Sequence, residues 1–181
     1  WQAGRAAILQ SLQQGDYFFA PLQRITKADG TGIHLWRSAD ALVLKALTLA
    51  IAPSLPISRR CTHVRGNGGL KYAVRDVQQH LPDHQFVMRT DVKAFYESID
   101  HNLMLEKLAV YITDRFTLNL LWQSMRRCVE RGGVFRDIKQ GLPRGCPLSP
   151  LLGAFFLTEL DEELAKQDVF YVRYMDDVLI I

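Results

Sequence analysis

The sequence predicts an α+β fold, and two observations carry that expectation. Several long segments show helical apolar spacing, and shorter apolar runs bounded by turn residues read as strands. Residues 1–20 present an apolar face of Ile8, Leu9 and Leu12 and read as a helix running into Tyr17-Phe18-Phe19. Residues 22–36 read as a hairpin, because Lys27-Ala28-Asp29-Gly30-Thr31-Gly32 is turn chemistry. Ser38 or Asp40 is placed to cap a helix over residues 41–52, which must stop before Pro53. Arg65-Gly66-Asn67-Gly68-Gly69 reads as a flexible loop and residues 70–80 as a helix. Phe86 to Val92 is a short apolar segment, predicted as a strand. Asp100 can cap a helix over residues 101–112. A further helix is predicted over residues 118–129, after which Gly132 and Gly133 turn the chain. Residues 151–164 read as one long helix, apolar first and acidic later. Residues 169–181 read as strand, turn and strand around Met175-Asp176.

The composition excludes some classes. The chain has 181 residues, 48% of them apolar and 23% charged, enough to bury a core and too apolar for wholesale disorder. No apolar run reaches the length of a membrane span, so no membrane partner is expected. The chain starts at Trp1 and stops in the apolar run Val178–Ile181, so a piece of a longer polypeptide is expected. Cys61, Cys128 and Cys146 show no paired spacing, which favours reduced thiols and a cytoplasmic setting. Net charge is only +3, but its distribution is uneven. Arg115, Arg126, Arg127, Arg131, Arg136, Lys139 and Arg144 face only Glu130 and Asp137 in the same stretch. Arg59, Arg60, Arg65, Lys71 and Arg75 form a second basic stretch. Such a pattern suits either a phosphate backbone or solvated helix faces.

Two places bear on chemistry, because a carboxylate interrupts an apolar strand. Asp91 ends the run from Phe86, and Asp176-Asp177 lies between Val169–Val172 and Val178–Ile181. A carboxylate on a core strand is costly unless paired, hydrogen-bonded or bound to a cation. If the strands lie side by side, the three acids converge at one end of a sheet. Hard oxygen ligands of this kind suit Mg²⁺. Two such ions about 4 Å apart can stabilise both the attacking and the leaving oxygen of a phosphoryl transfer. An isolated Asp-Asp pair more often marks a surface turn; the flanking strands and remote Asp91 lower those odds but do not overturn them alone.

Three segments taken together carry a resemblance. Thr90-Asp91-Val92-Lys93-Ala94-Phe95-Tyr96-Glu97-Ser98-Ile99-Asp100-His101 resembles the first catalytic motif of bacterial reverse transcriptases. Gln140-Gly141-Leu142-Pro143-Arg144-Gly145-Cys146-Pro147-Leu148-Ser149-Pro150-Leu151-Leu152 resembles their second, and Tyr171-Val172-Arg173-Tyr174-Met175-Asp176-Asp177 their third. The looser match over Lys27–Leu47 and Cys61–Val77 is similar to the fingers of the group II intron-like branch.

The resemblance implies a right-hand polymerase fold with fingers over residues 1–81 and a ferredoxin-like palm over residues 82–181, the thumb missing. Residues 115–144 either return to the fingers or line the template channel. It implies an RNA-directed DNA polymerase that uses two Mg²⁺ ions, with Mn²⁺ able to substitute. The expected partners are an RNA template, a DNA or RNA primer, deoxynucleoside triphosphates, and the remainder of the polypeptide. The implied metal ligands are Asp91, Asp176, Asp177 and the Val92 carbonyl. Tyr96 resembles the steric gate against a 2′-hydroxyl, with Phe95 its neighbour if the register slips by one. Lys27 resembles a lysine that holds the triphosphate, with Arg37 standing in for an expected arginine that Ile33-His34-Leu35-Trp36 lacks. Arg144 replaces the family's usual glutamine, and Gly145 permits close backbone approach. Ser149 is expected to cap the helix that follows. Arg65, Gly66, Gly69, Ser149, Tyr174 and Met175 are implied nucleic-acid contacts. An RNA-dependent RNA polymerase usually carries an acid where this chain has Tyr96 and Gly-Asp-Asp where it has Met175-Asp176-Asp177. A non-catalytic nucleic-acid-binding module would have no need of three costly acids.

Overall fold

The computed structural model describes residues 2–26, 28–30 and 32–181. Lys27, the expected triphosphate contact, lies outside the described residues. In chain order the elements are α1 (Gln2–Gln14), β1 (Leu22–Thr26), β2 (Gly32–Leu35), α2 (Ser38–Ile51), α3 (Gly69–His80), β3 (Met88–Thr90), α4 (Phe95–Ser98), α5 (His101–Ala109), α6 (Arg115–Met125), β4 (Cys128–Arg131), β5 (Val134–Asp137), α7 (Ser149–Phe156), α8 (Thr158–Ala165), β6 (Tyr171–Tyr174) and β7 (Asp177–Ile180). They form two compact units, Trp1–Ile51 with Tyr96–Pro147, and Ala52–Phe95 with Leu148–Ile181. The divisions between these units fall after residues 51, 95 and 147, and residues 115–144 lie in the first unit. No described helix is long and apolar enough to cross a membrane.

The first unit is built on a four-stranded sheet in the order β2-β1-β4-β5. β1 and β2 form the expected antiparallel hairpin, with Arg24 opposite His34, and β1 pairs β4 in parallel at Leu22 and Val129. The helix expected over residues 118–129 spans Arg115–Met125 instead, started by the Asp114 carboxylate, which accepts from Thr117 N. Cys128 and Val129 leave it for β4, which returns as β5 through Gly132-Gly133, both at positive φ. A glycine pair of that sign suits the twist of a two-residue hairpin. Asp100 caps α5 as expected, accepting from Asn102 N and Leu103 N. Asp40 does not cap α2. It is buried and accepts from Tyr17 Oη at 2.7 Å and Ala20 N at 3.1 Å, so it anchors the segment after α1.

The second unit holds an antiparallel sheet in the order β3-β7-β6. Side chains alternate across β6. Val172 packs with Phe170, Ile181, Leu179 and, on α3, Ala73 and Val77. Tyr171 and Arg173 point to α8 and α7, where Tyr171 Oη donates to the Asp161 carbonyl at 3.1 Å. The long helix expected over residues 151–164 is broken at Leu157, and the Thr158 hydroxyl takes the Phe155 carbonyl at 2.7 Å. The strand expected over residues 86–92 is only Met88–Thr90 and is exposed throughout, with Phe86 83% accessible. This apolar run therefore edges the sheet and does not fill the core.

Candidate active site

The β6–β7 hairpin pairs Tyr174 with Asp177, so Met175 and Asp176 form a two-residue loop. Of these two only Met175 has positive φ, at 58°. That sign pattern belongs to a turn whose first central residue is usually glycine. β3 pairs β7 with Thr90 opposite Val178. One further step of this register brings Asp91 to the same end of the sheet as the bend. The first motif holds a second left-handed residue that is not glycine, Ala94 at φ 53°, in a turn where Phe95 N donates to the Val92 carbonyl at 3.1 Å.

The carboxylates converge unequally. Burial pushes the Asp176 carboxyl above the usual range; its own backbone amide opposes this, and the charges of Asp91 and Asp177 add to it. Side-chain interaction with Asp91 raises it further, so the two carboxyls lie near enough to sense each other. Asp177 is turned to Arg89, whose Nη2 and Nε donate to its Oδ1 at 2.8 and 3.1 Å on the exposed side of the sheet. The three acids thus meet at one end of the sheet, but as a pair plus a neighbour tied to a guanidinium. Among the described residues no group of three or more His, Cys, Asp or Glu side chains is arranged to hold a metal ion. Two opposed carboxylates still fit a hard divalent cation, because Mg²⁺ is commonly held by one or two carboxylates completed by water and substrate phosphate.

The first motif from Tyr96 onward and the second motif as far as Pro147 lie in the first unit. Gly141, at φ 82°, presses on the first motif so closely that a Cβ would stand 2.8 Å from the carbonyl oxygens of Tyr96 and Glu97. Leu142 N donates to the Tyr96 carbonyl at 2.7 Å and Gly141 N to the Ile99 carbonyl at 2.9 Å. The Gly141 carbonyl accepts from His101 Nε2 at 2.8 Å and Arg127 Nη1 at 2.9 Å. Burial pulls the His101 imidazole below its usual value and lowers Arg127 to about 10, which leaves it cationic at neutral pH. Arg144 is exposed and pairs with Glu97. Gly145 is exposed, at φ 77°.

Phe95 is buried against Phe156, whereas Tyr96 is half-buried. Arg37 is exposed. Arg65 and Gly66 are exposed, and Gly69 N donates to the Thr62 carbonyl at 2.9 Å. Ser149 is the first residue of α7 and is buried; the cap position is Leu148, with no side-chain cap bond, so Ser149 does not cap that helix. Tyr174 and Met175 are half-buried. Sequence reading missed Arg173, which is fully buried and bonded through Nε to Asp161 Oδ1 at 3.0 Å. A charged residue within an apolar strand was the available signal.

Residues 31–181 match the family model for reverse transcriptase (RNA-dependent DNA polymerase). Protein YkfC of Escherichia coli strain K12 is 28% identical over 186 residues, covering 92% of this chain and 48% of YkfC. Group II intron-encoded protein LtrA of Lactococcus lactis subsp. cremoris is 23% identical over 164 residues, covering 86% of this chain and 27% of LtrA. The chain thus spans about half of YkfC and about a quarter of LtrA. In fold it is similar to a chain of a partial Cas6-RT-Cas1–Cas2 complex, with a TM-score of 0.62 at 17% identity over 99% of this chain and 32% of that one. The chain belongs to the reverse transcriptase (RNA-dependent DNA polymerase) family.

Proposed function

We propose that this chain is the catalytic core of an RNA-directed DNA polymerase that adds deoxynucleotides to a primer 3′-end by two-metal-ion phosphoryl transfer. The observation that supports the reading is the strand register, which brings Asp91 to the end of the β3-β7-β6 sheet where the Asp176-Asp177 bend lies. Asp91 and Asp176 hold the divalent cations, with Asp177 and the Val92 carbonyl contributing. Bound Mg²⁺, or Mn²⁺ in its place, supplies positive charge to the attacking and leaving oxygens. Arg89 fixes Asp177 at the strand edge and keeps its charge balanced.

The unit with the three-stranded sheet serves as palm, and the unit with the four-stranded sheet as fingers. Tyr96 presents its ring to the sugar and excludes a 2′-hydroxyl; Phe95 is already committed to the core. Lys27 and Arg37 take the triphosphate. Arg144, which pairs with Glu97, and Gly145 stand at the nucleotide. Arg65, Gly66, Gly69, Ser149, Tyr174 and Met175 border the nucleic acid. Arg24, His34, Arg131 and Arg136 line one cup on the four-stranded sheet, a basic surface suited to strand phosphates. The RNA template, the DNA or RNA primer and the rest of the polypeptide complete the assembly.

The test is primer extension on an RNA template by the full polypeptide in Mg²⁺, with deoxynucleotides and ribonucleotides compared. Extension with deoxynucleotides only is expected. Preference for ribonucleotides would indicate RNA synthesis, and no extension a binding module.

A further inference from the structure

The main chain of Met175 is held on both sides of its Cα, at the amide that precedes it and the carbonyl that follows it, by side chains that the proposed chemistry does not use. Its N–H donates to His63 Nδ1 at 2.9 Å. Its carbonyl accepts from Arg173 Nη1 at 2.8 Å. Both side chains are anchored elsewhere in the same unit. His63 Nε2 lies 3.0 Å from the Pro150 carbonyl on α7. A carbonyl there requires a proton on Nε2, and an N–H at Nδ1 requires a lone pair, so the geometry selects one neutral tautomer. Arg173 has no exposed surface. It bonds Asp161 on α8 through Nε and Nη2, and the Ala154 carbonyl on α7 through Nη2 at 3.0 Å. The backbones are tied as well: Arg173 N donates to the Arg60 carbonyl and Thr62 N to the Arg173 carbonyl, both at 2.9 Å.

Met175 itself states what the grip is for. Its φ of 58° lies in the left-handed region, which an L side chain adopts only under strain, and such a conformation persists only where its surroundings over-determine it. The next residue is Asp176. Rotation about the φ and ψ bonds of Met175 changes where that carboxyl stands relative to Asp91.

We propose that His63 and Arg173 are positioning residues, a clamp that holds the Met175 N–H and C=O on either side of its Cα, keeps the residue in its left-handed bend and thereby sets Asp176 against Asp91. The clamp acts on the backbone and touches neither substrate nor cation. It rests on the reading of Asp91 and Asp176 as the cation-holding pair.

His63 separates a clamp from a mere packing role, because two amides each keep one half of the imidazole's bonding. His63→Asn puts an acceptor oxygen near the Nδ1 position and keeps the Met175 bond. His63→Gln puts a donor near the Nε2 position and keeps the Pro150 bond. The full polypeptide is assayed for primer extension with deoxynucleotides, for Mn²⁺ affinity by electron paramagnetic resonance, and for thermal midpoint. His63→Gln is expected to lower kcat and weaken Mn²⁺ binding by about tenfold or more, since a shift of about 1 Å in a catalytic group costs up to about 100-fold. The KM for deoxynucleotide stays near that of the wild type. His63→Asn is expected to stay close to wild type in kcat and Mn²⁺ affinity. Equal losses in both variants that follow the thermal midpoint would overturn the clamp, as would wild-type kcat and Mn²⁺ affinity in His63→Gln. An active wild type with either of those results sinks the clamp alone. A wild type that neither extends primers nor binds Mn²⁺ sinks the underlying reading and the clamp with it.

Discussion

Asp176 stands where an acid is least comfortable, in a two-residue bend with a second acid after it and a third, Asp91, at the same end of the sheet. Its raised carboxyl pKa registers that discomfort, from burial first. Tyr96 shows a different economy. Its backbone carbonyl accepts from Leu142 N, so the residue's place in the structure depends on its main chain as well as its ring. Tyr96→Ala should therefore keep the link between the two motifs while it removes the ring proposed to exclude the 2′-hydroxyl. The ratio of kcat/KM for deoxynucleotide over ribonucleotide is expected to fall by roughly tenfold or more, the scale set by about 1–3 kcal/mol of shape discrimination. An unchanged ratio would assign the ring to packing alone.

At the scale of elements, the β6–β7 hairpin is held by what lies beneath it. Arg173 and Asp161 have 0% and 2% side-chain exposure, so each is the other's main charge compensation. Asp161→Asn leaves a buried guanidinium uncompensated and is expected to cost about 3–5 kcal/mol in a denaturant titration. A loss below about 1 kcal/mol, the scale of an exposed pair, would show that water reaches the site. This pair also marks what the sequence could not disclose. Asp91, Asp176 and Asp177 were legible because a carboxylate interrupting an apolar run is a local signal. The partner of Arg173 was not, since Asp161 sits among Glu159, Glu162 and Glu163 and looks like one more solvated acid. His63 was silent for the same reason, its bonds to Pro150 and Met175 being long-range. The β4–β5 hairpin was missed because Arg115–Met125 runs into Cys128–Arg131 with no proline or glycine between them. The split between α7 and α8 follows from the Thr158 hydroxyl turning back on the helix, which apolar spacing does not report.

At the scale of the molecule, the chain alternates between two cores. Residues 1–51 fold with 96–147, and residues 52–95 with 148–181. The boundary after residue 95 runs through the first motif, so Asp91 and Tyr96 are held by different units. That division was not legible, because a unit built from distant segments leaves no mark in local composition. Family membership was legible, since it rests on three short motifs in order, and the family model covers residues 31–181. The central claim is that Asp91 and Asp176 together hold a divalent cation, and the most direct measurement is a Mn²⁺ titration of the full polypeptide followed by electron paramagnetic resonance. Asp91→Asn and Asp176→Asn are each expected to weaken binding by about tenfold or more, given that one unit charge at about 4 Å is worth about 1 kcal/mol in water and about 4 kcal/mol near a protein surface. Wild-type affinity in either variant, with the circular dichroism spectrum unchanged, would contradict the account.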